Sequence, residues 1–170
     1  VGSWPVKIHV DQAPYVEFTQ PPKKQGRGVL GMKFEASDDF GIVNLGLVVR
    51  SSQGWYLPSG DLELKIDVPT PDLGTRKVQG AISEDLMDHP WAGTLVDLKL
   101  VTTDAIGQTG NSETVELILP ERVFNHPVAR ALILIRKKLN KPDRNSTLSA
   151  IRSIEQIYER PEHFYDDKVI

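Results

Sequence analysis

The chain has 170 residues, of which 39% are hydrophobic and 25% are charged, as expected for a globular protein with one core and an appendage. A net charge of −3 gives no electrostatic reason to expect nucleic-acid binding. The absence of cysteine excludes a disulfide scaffold and a thiolate zinc site. No apolar run reaches the roughly 20 residues that a membrane-spanning helix needs.

Apolar and polar residues alternate through much of residues 1–120, which places one face of each predicted strand on a core and the other in water. Turn residues separate these runs and no helical pattern intervenes, so an antiparallel arrangement is predicted. The apolar positions are Val6, Ile8 and Val10; Val16 and Phe18; Leu30, Met32, Phe34 and Ala36; Leu45, Leu47 and Val49; Leu62, Leu64 and Ile66; Val78 and Ile82; Val96, Leu98 and Leu100; and Val115, Leu117 and Leu119.

The last two runs form a predicted hairpin, with strands at residues 96–104 and 114–119 around a glycine-containing turn at residues 105–110. About seven short strands of this kind are typical of a two-sheet sandwich. The sequence therefore predicts a mainly β protein with an immunoglobulin-like antiparallel β-sandwich over residues 1–120.

Hydrophobic spacing changes after residue 120 and becomes helical. Pro127 suits the first turn of one helix, and Asn145 or Ser146 can cap a second one. The apolar positions are Val128, Ala131, Leu132, Ile135 and Leu139 in the first helix and Leu148, Ile151, Ile154 and Tyr158 in the second. Residues 121–170 are predicted to form a helical hairpin attached to the sandwich.

Five stretches resemble one protein family: residues 4–14, 36–41, 85–93, 119–132 and 160–164. They resemble the DUF4175 family of long alphaproteobacterial envelope proteins, and the resemblance covers nearly the whole chain. It implies a membrane-anchored parent protein, of which this chain would be a soluble periplasmic segment beyond the inner membrane. The family brings no assigned activity and no catalytic residues.

Acidic residues recur in loops that would share one end of such a sandwich, because alternate connections in this fold meet there. The loops carry Asp38, Asp39, Asp72 and Asp104. Clustered carboxylates can hold calcium, a cation that prefers oxygen ligands. The alternative is that each aspartate caps its own turn through local hydrogen bonds. No cofactor is otherwise predicted.

Two surfaces are candidates for binding. Trp55 and Tyr56, beside Gly54, are the aromatic pair most suited to stacking on a sugar, although such residues commonly pack in a sandwich core. Ile133 and Leu134 widen the apolar surface of the first predicted helix beyond one packed face, which favours a protein partner. The alternative is burial of this surface against the sandwich or against further helices of the parent.

Catalytic motifs are missing from the sequence. It contains neither the HExxH pattern of zinc proteases nor the GxSxG elbow of serine hydrolases. The histidines, at positions 9, 89, 126 and 163, are far apart, and two of them precede prolines where the chain turns. We therefore expect a non-catalytic interaction or spacer module with an envelope protein as partner. The alternative is an envelope glycan-binding module, with calcium as a possible requirement.

Overall fold

The computed structural model describes residues 2–5, 7, 9–26, 28–57, 59–70, 74–141 and 143–159. Within these residues the strands are β1 (Tyr15–Gln25), β2 (Val29–Ser37), β3 (Ile42–Ser51), β4 (Glu63–Asp67), β5 (Lys77–Glu84), β6 (Leu95–Asp104), β7 (Thr109–Asn111) and β8 (Val115–Ile118). The helices are α1 (Pro127–Leu139) and α2 (Arg144–Glu159).

The strands form two antiparallel sheets. One sheet has the order β1-β2-β5 and the other has the order β4-β3-β6-β7, with β8 also paired to β6. The chain therefore crosses between the sheets after β2, after β4 and after β5. This arrangement confirms the predicted mainly β fold, an immunoglobulin-like sandwich followed by a helical pair.

The core lies between the two sheets and is filled by the alternating residues of their strands. Leu30 and Met32 of β2 are buried against Leu47 of β3 and Leu98 and Leu100 of β6 in one hydrophobic cluster. Burial of every second residue in β6 is the period that a half-buried strand requires. The outer residues of the same strand remain partly exposed.

The predicted first strand is not observed in the described residues. Val6 and Ile8 lie outside those residues, and Lys7, His9 and Val10 have no regular secondary structure. Strand pairing begins only at Tyr15, which lies opposite Ser37 of β2. At the described positions of this run, Lys7, His9 and Val10, no strand pairing is observed.

The predicted second strand of the terminal hairpin, at residues 114–119, corresponds to β8. A further short strand, β7, begins within the predicted turn, and residues 112–114 separate it from β8. Here the Ser112 hydroxyl accepts the Leu100 N–H at 2.9 Å and donates to the Glu113 carbonyl at 2.8 Å. A side chain thus replaces a backbone acceptor in the ladder, and the regular pairing with β6 is interrupted.

Helix α1 begins at Pro127, as predicted. Proline suits this position because the first N–H groups of a helix have no intrahelical acceptor, so its lack of an N–H costs no hydrogen bond. The cap predicted for the second helix is wrong. Asp143, rather than Asn145 or Ser146, precedes α2, and its Oδ1 accepts the Ser146 N–H at 2.8 Å. Hydrogen bonding from the Ser146 side chain, followed by that from its backbone N–H, holds the pKa of Asp143 below its usual value.

Polar side chains of α1 and of Asn140, the residue that follows it, attach the helical pair to the sandwich. Arg136 donates to the Ala92 carbonyl at 2.8 Å, and Asn140 donates to the Pro90 carbonyl at 2.5 Å. Both carbonyls belong to the connection between β5 and β6. Lys137 adds an ion pair with Glu121 at 2.7 Å. The helical pair therefore depends on the conformation of this connection.

Candidate metal centre

One end of the sandwich brings together the segment before β1, the β2–β3 turn, the β4–β5 connection and the β6–β7 turn. Tyr15 pairs with Ser37 at the end of β2, and Ile42 at the start of β3 pairs with Asp104 at the end of β6. The Ile42 N–H also donates to the Thr75 carbonyl at 3.1 Å. Aspartates placed in these segments can therefore reach one another.

Asp38 is buried in the β2–β3 turn, with only 8% of its surface exposed. Its Oδ2 accepts the Phe40 N–H at 3.0 Å and the Gly41 N–H at 2.5 Å. Gly41 has a φ of 119°, a conformation that side-chain-bearing residues rarely adopt. The other carboxylate oxygen, Oδ1, is buried and has no hydrogen-bond partner in the described structure.

Asp104 repeats this arrangement in the β6–β7 turn, where it is 3% exposed. Its Oδ1 accepts the Ile106 N–H at 3.0 Å and the Gln108 N–H at 2.8 Å. Its Oδ2 is buried without a hydrogen-bond partner among the described residues. Turn capping thus uses one oxygen of each aspartate and leaves the second one available.

Asp11 approaches the same place from the segment before β1, and its Oδ1 is the third buried oxygen without a partner in this part of the described chain. Its neighbour Gln12 donates its backbone N–H to Oδ1 of Asp39 at 3.3 Å. The side chain of Asp39 is also close enough to affect the ionisation of Asp11.

One carboxylate oxygen from each of Asp11, Asp38 and Asp104 lies within 4.8 Å of the other two. Two oxygens that are each about 2.4 Å from one calcium ion can be at most about 4.8 Å apart, so the separations in this cluster meet the distance condition for sharing one ion. None of the ion pairs found in the described residues involves these carboxylates. The cluster is therefore acidic, and no cationic side chain of the described residues forms an ion pair with it.

The predicted acidic cluster and the observed one overlap in part. Asp38 and Asp104 come together, Asp39 lies beside them and contacts the Asp11 segment, and Asp72 is outside the described residues. Asp11 was missed. Its position four residues before β1 could have indicated it, because β1 pairs with the end of β2, next to Asp38. Metal binding itself stays a prediction.

The electrostatics of the cluster raise the pKa of Asp11 above its usual value. Burial is the largest cause, and the hydrogen bond to Asp39 is the next. The negative charges of Asp39, Asp104 and Asp38 add to the increase. The ionised form of Asp11 is thus disfavoured in the folded protein as long as no cation is bound.

This shift predicts a pH effect in buffer containing a chelator. Because the folded state binds the Asp11 proton more tightly than the unfolded state, the free energy of unfolding falls as pH rises through the folded pKa. Asp11→Asn removes this contribution. The stability of the variant relative to the wild type should therefore increase from about pH 4 to pH 7. Urea unfolding across this range measures the difference, and a constant difference would contradict the assignment.

The predicted aromatic pair is not exposed as a pair. Trp55 is only 7% exposed and belongs to the hydrophobic core, whereas Tyr56 is exposed. For Trp55 the alternative interpretation, packing in the sandwich core, is confirmed. Trp91 is fully buried as well, and Trp4 is exposed.

The helical residues are placed differently. Leu134 is 61% exposed, Ile133 is partly buried, and both contact a shallow groove of about 180 Å³ between α1 and residues 121–124. Among the described residues of the two helices, only Ile135 and Ala150 are buried. Seven large apolar side chains of the helical pair are at least 40% exposed.

His89 contacts Trp91 within the β5–β6 connection. Its Nδ1 accepts the Trp91 N–H at 3.2 Å, and its ring lies 5.2 Å from the Trp91 ring in an edge-to-face contact. Burial, followed by the charge of Arg136, holds the pKa of His89 below its usual value. A neutral imidazole of this kind can accept the observed hydrogen bond.

No helix in the described residues combines the length and apolar character needed to cross a membrane.

A comparison with curated proteins finds no match. The comparison with protein families finds a match over residues 1–170, to a domain of unknown function, DUF4175. Because the match extends over the whole chain, the protein belongs to the DUF4175 family.

Proposed function

We propose that this chain is a non-catalytic interaction or spacer module in the periplasm, within a membrane-anchored envelope protein. The observation that carries the proposal is the accessible apolar surface of the helical pair. This surface is formed by Leu132, Leu134 and Leu139 of α1 and by Leu148, Ile151, Ile154 and Tyr158 of α2, all of which are exposed.

An apolar surface of this extent is typical of a region that contacts another protein. The sandwich leaves it accessible, because α1 attaches to the β5–β6 connection mainly through polar groups such as Arg136 and Asn140. A groove of about 390 Å³ between Leu134 of α1 and Ile157 of α2 adds a concave feature. We infer that an envelope protein covers this surface.

The glycan-binding alternative receives less support. Its predicted aromatic platform retains Tyr56 but loses Trp55 to the core. A single exposed ring provides less stacking area than the predicted pair would have provided. Glycan binding stays a prediction that Tyr56→Ala would test.

Charging the helical surface should abolish partner binding. The experiment is in-cell crosslinking of the full-length parent, followed by capture through this segment and mass spectrometry. We expect reproducible enrichment of one envelope protein and its loss in Leu134→Glu, because a charge at this position would have to be desolvated in the complex. Protease accessibility of the same segment in spheroplasts tests the periplasmic location.

Ile118→Glu is the matched control, because Ile118 is 67% exposed but lies on β8 of the sandwich. It should preserve the enrichment, and circular dichroism should show that both variants are folded. Equal loss in the two variants, or no enrichment above background in the wild type, would contradict the proposal.

A further inference from the structure

Three buried carboxylate oxygens without hydrogen-bond partners lie at one end of the sandwich, in Asp11, Asp38 and Asp104. Buried polar atoms in proteins are almost always paired, because losing hydration without compensation is unfavourable. Asp38 and Asp104 are more than nine-tenths buried, and backbone N–H groups occupy their other oxygens. We infer that these three aspartates form a calcium site that fastens the segment preceding β1 to the sandwich.

A cation resolves two problems of the cluster together. Ionised carboxylates only accept hydrogen bonds, so the three free oxygens cannot pair with one another. They also repel one another, and burial reduces the screening of this repulsion. A water molecule could hydrogen-bond to the oxygens but would leave the repulsion in place. A divalent cation both coordinates the oxygens and balances their charge.

The donor set favours calcium over other divalent ions. All three donors are carboxylate oxygens, whereas zinc prefers nitrogen and sulfur ligands. The donors come from three separate chain segments, which suits the flexible coordination of calcium better than the near-ideal octahedron that magnesium requires. Calcium binds six to eight oxygens, so water and backbone carbonyls would complete the coordination.

The turns pre-orient two of the three ligands. Backbone N–H groups fix one oxygen of Asp38 and one of Asp104, so these side chains need little reordering when an ion binds. Asp11 differs because its segment has no regular secondary structure. Ion binding would therefore order the chain before β1, and this role is independent of the proposed partner surface on the helices.

The test uses the 170-residue chain, freed of metal with EGTA. Thermal unfolding is measured with about 10 mM calcium chloride and with sodium chloride of the same ionic strength. For a dissociation constant of about 10⁻⁴ to 10⁻³ M, in the range of extracellular calcium modules, we expect the Tm to rise by about 3–10 °C with calcium only. Calorimetric titration should give one calcium ion per chain.

Asp11→Asn is the decisive variant, because Asp11 does not hold either turn together and its replacement should leave the fold intact. We expect at least about tenfold weaker calcium binding, as one of three charged ligands is lost. In EGTA the variant should be at least as stable as the wild type, since one repelling charge is removed. Amide exchange at residues 9–14 should slow with calcium in the wild type only.

Asp61→Asn is the matched control. Asp61 is exposed beside β4, near the end of β3 that is opposite the cluster, and it should keep the full calcium response. The site would be overturned by an unchanged wild-type Tm with no binding heat, or by an undiminished response in Asp11→Asn. An equal response to magnesium would overturn its assignment to calcium.

Discussion

Replacing Trp91 with alanine is expected to lower the free energy of unfolding by about 3–5 kcal/mol, the usual range for removing a large aromatic side chain from a core. Trp91 has no exposed surface and belongs to the cluster between the sheets. For a chain of this length the loss corresponds to a Tm decrease of about 6–20 °C. Urea and thermal unfolding measure both quantities.

The effect should extend beyond the cavity, because Trp91 also organises the β5–β6 connection. Its ring lies edge-to-face against the His89 ring, with 5.2 Å between the ring centroids. The neighbouring carbonyls of Pro90 and Ala92 hold α1. We therefore expect amide protection in α1 to decrease together with global stability.

Trp91→Phe separates volume from hydrogen bonding. The indole Nε1 is buried without a partner in the described structure, so the phenylalanine variant loses volume but no hydrogen bond. Its destabilisation should be less than half that of the alanine variant. Tyr158→Ala, at a position that is 88% exposed, should change stability by less than about 0.5 kcal/mol. A loss below about 1 kcal/mol in Trp91→Ala would contradict its place in the core.

Strands were the most predictable part of this fold. Successive residues of a strand point to opposite faces, so burial of one face produces an apolar–polar alternation that is visible in the sequence. The alternation at Leu62, Leu64 and Ile66 predicted a strand, and β4 contains Leu64 and Ile66, whereas Leu62 precedes it and is exposed. Local sequence does not reveal that β4 belongs to a five-stranded sheet. The weaker signal at Val78 and Ile82 also corresponds to a strand, β5. Periodicity therefore identified elements more reliably than their ends.

Irregular segments were less predictable, for a physical reason. The path of the chain through Asp11 depends on the register between β1 and β2 and on contacts with β7, which are distant in sequence. The same limit applies to Trp55, whose burial follows from the fold of the connection before β4 and not from a local pattern. The prediction consequently found two of the three cluster aspartates, those that adjoin strands.

Turn capping, the alternative to metal binding for Asp38 and Asp104, describes only part of the observed geometry. One oxygen of each carboxylate caps its own turn, as the alternative to metal binding required. The second oxygen of each carboxylate is buried without a hydrogen-bond partner in the described structure, and the metal hypothesis rests on these two oxygens. Residue type and position could not reveal this division, because it depends on the orientation of each carboxylate.

Gly110→Ala is expected to uncouple the segment before β1 from the acidic cluster. A Cβ atom on Gly110 would lie 1.8 Å from the Pro14 carbonyl oxygen, far inside contact distance, and 3.1 Å from the Thr102 Cγ2. Either β7 or the chain at Pro14 must move. Because Asp11 is three residues before Pro14, we expect at least tenfold weaker calcium binding together with a destabilisation of about 1–3 kcal/mol.

Gly46→Ala is the matched control for this prediction. Gly46 also lies in a strand of the same sheet, but a Cβ there would meet its nearest atom, the Ile66 carbonyl oxygen, at an ordinary 3.5 Å. Calcium titration of both variants, with amide exchange at residues 9–14 as a second readout, gives the comparison. Unchanged calcium affinity in Gly110→Ala would mean that Asp11 is not held in place by the contact between Pro14 and β7. A loss confined to Gly110→Ala would show that close backbone packing, and not the carboxylates alone, positions the third ligand.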